Sequence, residues 1–183
     1  IYSNYVLTDL KSNFLKFKKY AEEISMAKGK LIKFEIEGET IKVNKLKLKS
    51  FLASSIHLFR NMIDHGIESE TIRIDKKKPK KGTIKTQFTI EKDMIKMCFE
   101  DDGAGLDLDK IKRKCIEKNL LSKNDLDNMK NQELFSYIFK PEFSTSESVN
   151  LISGRGIGME SLKEEVDNLN GSIEIQSQKD EGT

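Results

Sequence analysis

His57-Leu58-Phe59-Arg60-Asn61-Met62-Ile63-Asp64-His65-Gly66-Ile67-Glu68 reads as the end of a helix with two unlike faces. Leu48, Leu52, Ile56, Phe59 and Ile63 recur at helical spacing and predict a helix over 45–66. His57, Asn61 and Asp64 lie roughly opposite, each one turn from the next, and His65 borders them. A polar helix face ordinarily meets only water. Three ligand-type groups on one stripe point instead to a bound group. Asn61 offers a neutral carbonyl oxygen, which suits a magnesium ion already neutralised by phosphates. His57, one turn earlier, is placed to orient or deprotonate something near the same ion.

Further along, Met97-Cys98-Phe99-Glu100 alternates as a strand and runs into Asp101-Asp102-Gly103-Ala104-Gly105-Leu106-Asp107. This turn has three readings. It closes a strand; or it binds calcium, against which the EF-hand glutamate is missing; or it recognises a base. In the last case a carboxylate accepts from an exocyclic amine and glycines let a flat ring approach.

A third stretch, Ser153-Gly154-Arg155-Gly156-Ile157-Gly158-Met159, places glycines at alternating positions ahead of a helical pattern with Leu162 and Val166 four apart. Bare backbone feeding a helix N-terminus suits an anion, because the first N–H groups are unpaired. The familiar phosphate loops fit poorly. Met159-Glu160 stands where a P-loop needs Lys-Ser/Thr, and the dinucleotide fingerprint lacks its third glycine and its preceding strand.

The chain as a whole bounds these readings. Its 183 residues suit one domain, or one domain with a small appendage. Charge is heavy but balanced, 32 basic against 30 acidic residues, so composition demands no nucleic acid. Cys98 and Cys115 are isolated and form no metal pattern, which fits two thiols in a reducing compartment. No apolar run approaches the ~20 residues of a membrane span. Lys76-Lys77-Lys78-Pro79-Lys80-Lys81 is either a polyanion site or a solvated loop.

Periodicity supplies the remaining elements. A helix is expected over 7–28 with Leu10, Phe14, Phe17, Ala21 and Ile24 on one face. Strands 30–37 and 40–43 read as a hairpin, 68–82 as a loop, and 83–91 with 94–100 as a second hairpin around Lys92-Asp93. Helices follow at 108–118 and within 125–139. The serine-rich segment 140–153 has the composition of a lid, and Asn170-Gly171 turns into a strand at 172–177. The sum is a mixed sheet with helices on one face.

The motifs at 57–68, 101–107, Ile138-Phe139-Lys140-Pro141-Glu142-Phe143-Ser144-Thr145 and 153–159, in that order, resemble the ATP-binding domain shared by DNA gyrase, the heat-shock chaperone, MutL and the sensor histidine kinases. Within that superfamily they are most similar to the CheA-type chemotaxis kinase. Gly171 and Gly182-Thr183 also fit, and the likeness covers roughly 28–183. The resemblance implies a two-layer α/β sandwich of the Bergerat type, its sheet mostly antiparallel, with ATP and Mg²⁺ as ligands. It implies that Asp101 takes the adenine amino group with Thr183 beside it, and that Gly103, Gly105 and Leu106 border the base. Asn61 holds Mg²⁺, with His57 near the ion and the γ-phosphate. Arg60, Asp64 and His65 line the cleft. Phe143, Ser144 and Thr145 belong to the lid. Ser153, Gly154, Arg155, Gly156, Ile157, Gly158 and Met159 form its hinge and the phosphate loop.

The implied activity is donation of the γ-phosphate to a histidine on another domain, in cis or in trans, with a response regulator downstream and a bacterial cytoplasmic location. Nucleic acid and membrane are not implied partners. Residues 1–27 are either the stub of a preceding dimerising helical region or an ordinary helix packed on the domain. A final strand after Thr183 is expected. There are departures. Leu52-Ala53-Ser54-Ser55 replaces the family's Asp-Pro, and Glu142 replaces the glycine of its lid. These keep open a regulatory module that binds nucleotide without transferring phosphate. A gyrase-like ATPase fits less well, since His57 stands where those enzymes place glutamate.

Overall fold

A computed structural model describes residues 7–143 and 158–183. The short strand β1 (Leu7–Asp9) leads into α1 (Leu10–Ala27), and the Asp9 carboxylate caps that helix by accepting from Ser12 N at 3.0 Å. β2 (Ile32–Gly38), β3 (Lys42–Asn44), α2 (Lys49–Asn61) and α3 (Glu70–Asp75) follow. Next come the strands β4 (Gly82–Glu91) and β5 (Met94–Asp101), then α4 (Leu108–Glu117), α5 (Lys123–Asn128), α6 (Asn131–Phe135) and α7 (Met159–Asn168).

The main sheet has the order β2-β4-β5, parallel at the first junction and antiparallel at the second. Its core face carries Phe34, Ile84, Phe88 and Phe99, and α1, α2 and α7 pack there through Phe14, Phe59 and Leu162. The other face carries Lys33, Glu35, Glu37, Lys85 and Gln87, as the pleat requires when one side meets water. This is the expected two-layer sandwich. Phenylalanines dominate the core: the Phe14 ring lies 4.9 Å from Phe88, and Phe59 lies 5.3 Å from both Phe17 and Phe34. The N-terminal helix α1 packs on the domain, which is compatible with either reading of residues 1–27. Leu10, Phe14, Phe17 and Ala21 are buried in the same core as the sheet. A second, smaller core joins Ile111, Cys115, Leu126, Leu134 and Phe135 beside the sheet.

Several expected elements differ. The hairpin of 30–37 with 40–43 does not form: β3 pairs with β1, and β2 lies parallel to β4. Gly38, at φ 100°, sits against the Phe88 carbonyl, and Glu39 N donates to that carbonyl at 2.9 Å. The chain therefore leaves along β4 instead of folding back on β2. The predicted loop 68–82 contains α3, held by a buried arginine. The predicted helix 45–66 starts at Lys49 and ends as two pieces, α2 and a π-helical turn at Met62–Gly66. Residues 172–177 keep their alternating burial, Ile173 toward the main core and Ile175 toward the second, without joining the sheet as a strand. Glu181 and Gly182 instead turn the end of the chain back to Asp101.

Candidate nucleotide site

Two rigid pieces meet at the end of β5. The first is the polar stripe of α2. His57 and Asn61 are half-buried, and Asn61 has no partner for its amide among the described residues. Burial, and secondarily the Arg60 guanidinium, hold the His57 imidazole below its ordinary pKa, so the ring is neutral near pH 7. Beyond Asn61 the helix widens into the π turn, closed by Ile67 N donating to Met62 O at 2.7 Å. Two of the carbonyls this helix end leaves without intrahelical partners are taken by Lys30, whose Nζ reaches Ile63 O at 2.5 Å and Asp64 O at 3.1 Å. The Asp64 carboxylate meets two cations, Lys28 at 3.0 Å and Arg60 at 3.4 Å. His65 is exposed.

The second piece is the acidic turn. Asp101 is 8% exposed, and its Oδ1 accepts from Gly103 N at 2.9 Å. Oδ2 accepts from no group among the described residues, which leaves a lone pair for a ligand's donor. Desolvation raises its pKa to about 6, outweighing the Gly103 hydrogen bond. The two pieces touch at glycines. A Cβ at Gly66 would stand 3.0 Å from Asp101 Oδ1, and one at Gly103 would stand 2.3 Å from the Gly66 carbonyl. Ala104 N donates to that carbonyl at 2.8 Å. Gly105, at φ 70°, packs against the Gln178 carbonyl. These glycines thus serve first to bring the turn onto the helix end and the C-terminal segment.

Thr183 completes the turn. It exchanges main-chain hydrogen bonds with Asp101, and its hydroxyl lies 3.0 Å from Ser177 Oγ. Ser177 also accepts from Leu106 N at 2.7 Å and donates to Gly182 O at 2.9 Å. Asp101 and Thr183 are therefore paired at the strand end.

The sequence was compared with known proteins. Residues 53–183 match the model of the histidine kinase-, DNA gyrase B-, and HSP90-like ATPase family. The chain belongs to this family. It is 39% identical over 170 residues to the sensor histidine kinase CheAY of Helicobacter pylori, covering 93% of this chain and 21% of that protein. It is 33% identical to the chemotaxis protein CheA of Halobacterium salinarum, covering 97% of this chain and 26% of that protein. It is equally close, at 33%, to a gliding motility regulatory protein of Myxococcus xanthus, covering 97% and 26%. The chain thus spans about a fifth to a quarter of these relatives' length. The histidine kinase domain of the Erythrobacter litoralis EL346 blue-light activated histidine kinase matches at a TM-score of 0.51 and 13% identity, over 93% of this chain and 57% of that one, and shares the fold.

His57 and Asn61 stand on the polar stripe of α2, and Asp101, Gly103, Gly105 and Thr183 come together at the end of β5. Leu106 joins the second core, and Met159, the first residue of α7, packs on the main core. Phe143 lies under Lys114, whose Nζ is 4.5 Å from the ring centroid. Ser144, Thr145, Ser153, Gly154, Arg155, Gly156 and Ile157 lie outside the described residues. Sequence reasoning missed Gly66 and Ser177, because a lone glycine or serine carries no spacing signal. It also missed the roles of the lysines after α3. Lys78 donates to Glu68 at 3.0 Å and to Gly103 O at 2.7 Å, Lys76 pairs with Glu68 and Asp180, and Lys80 pairs with Glu70 at 2.9 Å. Much of that cluster's charge thus answers nearby carboxylates.

Proposed function

We propose that this domain binds Mg·ATP between α2 and the acidic turn and donates the γ-phosphate to a histidine carried elsewhere. The observation that carries the reading is the open Oδ2 of buried Asp101, whose main chain pairs with Thr183 and whose carboxylate lies next to Gly66 at the end of the Asn61 helix. An acceptor there suits the 6-amino group of adenine. The donor set fits magnesium bound mainly through phosphates. Asn61 supplies one neutral oxygen, and no group of three His, Cys, Asp or Glu residues able to hold a metal occurs among the described residues. Mg²⁺ keeps most of its shell from water and phosphate, so one or two protein ligands suffice.

The ion supplies charge neutralisation to the triphosphate. Asn61 orients it, and neutral His57 is able to accept a hydrogen bond from water or donate one to a phosphate oxygen. Phosphoryl transfer asks mostly for positioning and electrostatics, which such a shell provides. The name of one relative, a sensor histidine kinase, supports a histidine acceptor; a response regulator downstream, dimers formed through a neighbouring region and a bacterial cytoplasmic location belong to the same proposal. The only histidines of this chain are His57 and His65, both on the nucleotide side of α2 and its π turn, so the acceptor is on another domain or protein.

Incubation with γ-labelled Mg·ATP and a panel of histidine-phosphotransfer domains tests this reading. Acid-labile label on an acceptor, and none on the chain alone, is expected. Tight ATP binding with transfer to no acceptor would leave a nucleotide-sensing module instead.

A further inference from the structure

Arg73 is the largest fully buried side chain among the described residues, at 0% exposure. All five of its N–H groups have acceptors. Nε donates to Pro79 O at 2.6 Å. Nη1 donates to Glu68 Oε2 at 3.0 Å and Asp102 O at 3.2 Å. Nη2 donates to Asp102 Oδ2 at 2.9 Å and Lys81 O at 3.4 Å. The guanidinium thus grips the residue two positions past the π turn and the residue next to Asp101.

Asp102 has little freedom left. Its Oδ1 accepts from Thr83 N at 2.8 Å, and its own N donates to Thr83 O at 3.2 Å. Lys78 holds the next carbonyl, that of Gly103. Among the described residues, the Asp101 side chain is held by Gly103 N alone, and its main chain by Thr183 at the end of β5. The direction of its free Oδ2 is therefore set by how firmly its neighbours are fixed. A planar fork bridging two carboxylates fixes both distance and angle, which a lysine does not.

We propose that Arg73 is the positioning residue of the base-recognition turn. By clamping Glu68 and Asp102 it aims Asp101 Oδ2 across the helix end and so selects nucleotides that carry an exocyclic amine. The inference rests on the ATP reading above. It touches no ligand and acts through Asp102.

The test measures dissociation constants for ATP and for purine riboside triphosphate, which lacks the 6-amino group, by titration calorimetry. Arg73→Lys leaves buried Glu68 and half-buried Asp102 under-satisfied and risks unfolding, so the decisive variant is Asp102→Asn. Its side chain is 35% exposed, and it keeps an oxygen for Thr83 N. The parent is expected to prefer ATP. Asp102→Asn is expected to lose about tenfold of that preference, a change of about 1.4 kcal/mol, through weaker ATP binding, with the affinity for purine riboside triphosphate unchanged. A role confined to stability lowers the melting temperature and leaves the preference intact, and that result in a folded Asp102→Asn overturns the proposal. A parent that binds both nucleotides equally overturns base recognition by Asp101, and this proposal with it. A parent that binds neither overturns the ATP reading itself.

Discussion

Thr183 and Asp101 exchange both main-chain hydrogen bonds, N to O at 3.1 Å in one direction and 2.9 Å in the other. This reciprocal pair fastens the C-terminal segment to the end of β5. It also brings Thr183, whose hydroxyl lies 3.0 Å from Ser177 Oγ, onto the residue that carries the one buried carboxylate whose second oxygen remains open among the described residues.

Asp101→Asn separates affinity from stability. The Asp101 pKa is raised from 3.8 to about 6, so folding favours its protonated form. Its stabilising contribution is fully present below pH 3.8 and is lost as pH rises through 6. At pH 7 the asparagine variant is expected to be more stable by up to about 3 kcal/mol, a difference that vanishes near pH 4. Its affinity for ATP is expected to fall about 10- to 100-fold, the worth of a hydrogen bond to a charged acceptor. Denaturant melts at both pH values and calorimetry check the two signs together.

ATP affinity of the parent domain should itself depend on pH. The ionised Asp101 accepts from an amine better than the acid does, so affinity is flat above pH 7 and weakens as pH falls through about 6. Titrations from pH 5 to 8 check this. Asp101→Asn removes the step, which distinguishes it from the titration of His57.

Asn61→Ala should abolish the effect of Mg²⁺ on ATP binding and leave the melting temperature within about a degree, since the amide has no protein partner among the described residues. Calorimetry with magnesium and with a chelator is the measurement.

Glycine substitutions at the turn should be severe. A Cβ at Gly182 would stand 1.8 Å from the Asp101 carbonyl, at φ 119°, and both facts forbid a side chain. Gly182→Ala is expected to cost about 3 kcal/mol or more. Gly29→Ala, at φ 64° with nothing within 4 Å, should cost only the left-handed penalty of about 1 kcal/mol. Thermal melts of the pair separate a steric clash from backbone strain.

Much of this site is legible without coordinates, and the reason differs from residue to residue. Asn61 and His57 stand out because a helical period puts them opposite Phe59 and Ile63. Asp101 stands out because an acidic glycine turn ends an alternating strand. The hairpin of β4 and β5 is equally plain, with Lys92 and Asp93 at the positive φ values, 49° and 66°, that its tight turn demands. The parallel neighbour of β2 is not legible. Local alternation is the same whichever strand lies alongside, and the choice was made by Gly38 meeting Phe88.

The sequence by itself determined the periodic elements, the order of the four motifs and the chemistry of the candidate site's side chains. These depend on neighbours three or four residues away, so they are written locally. Tertiary structure decided the rest. Lys30 caps the π turn from 33 residues upstream, Ser177 bonds to Leu106 across 71 residues, and Arg73 reaches Asp102 across 29. Each is a polar group drawn away from water that takes the partners its packing brings within reach, a constraint that exists only once the two layers have closed.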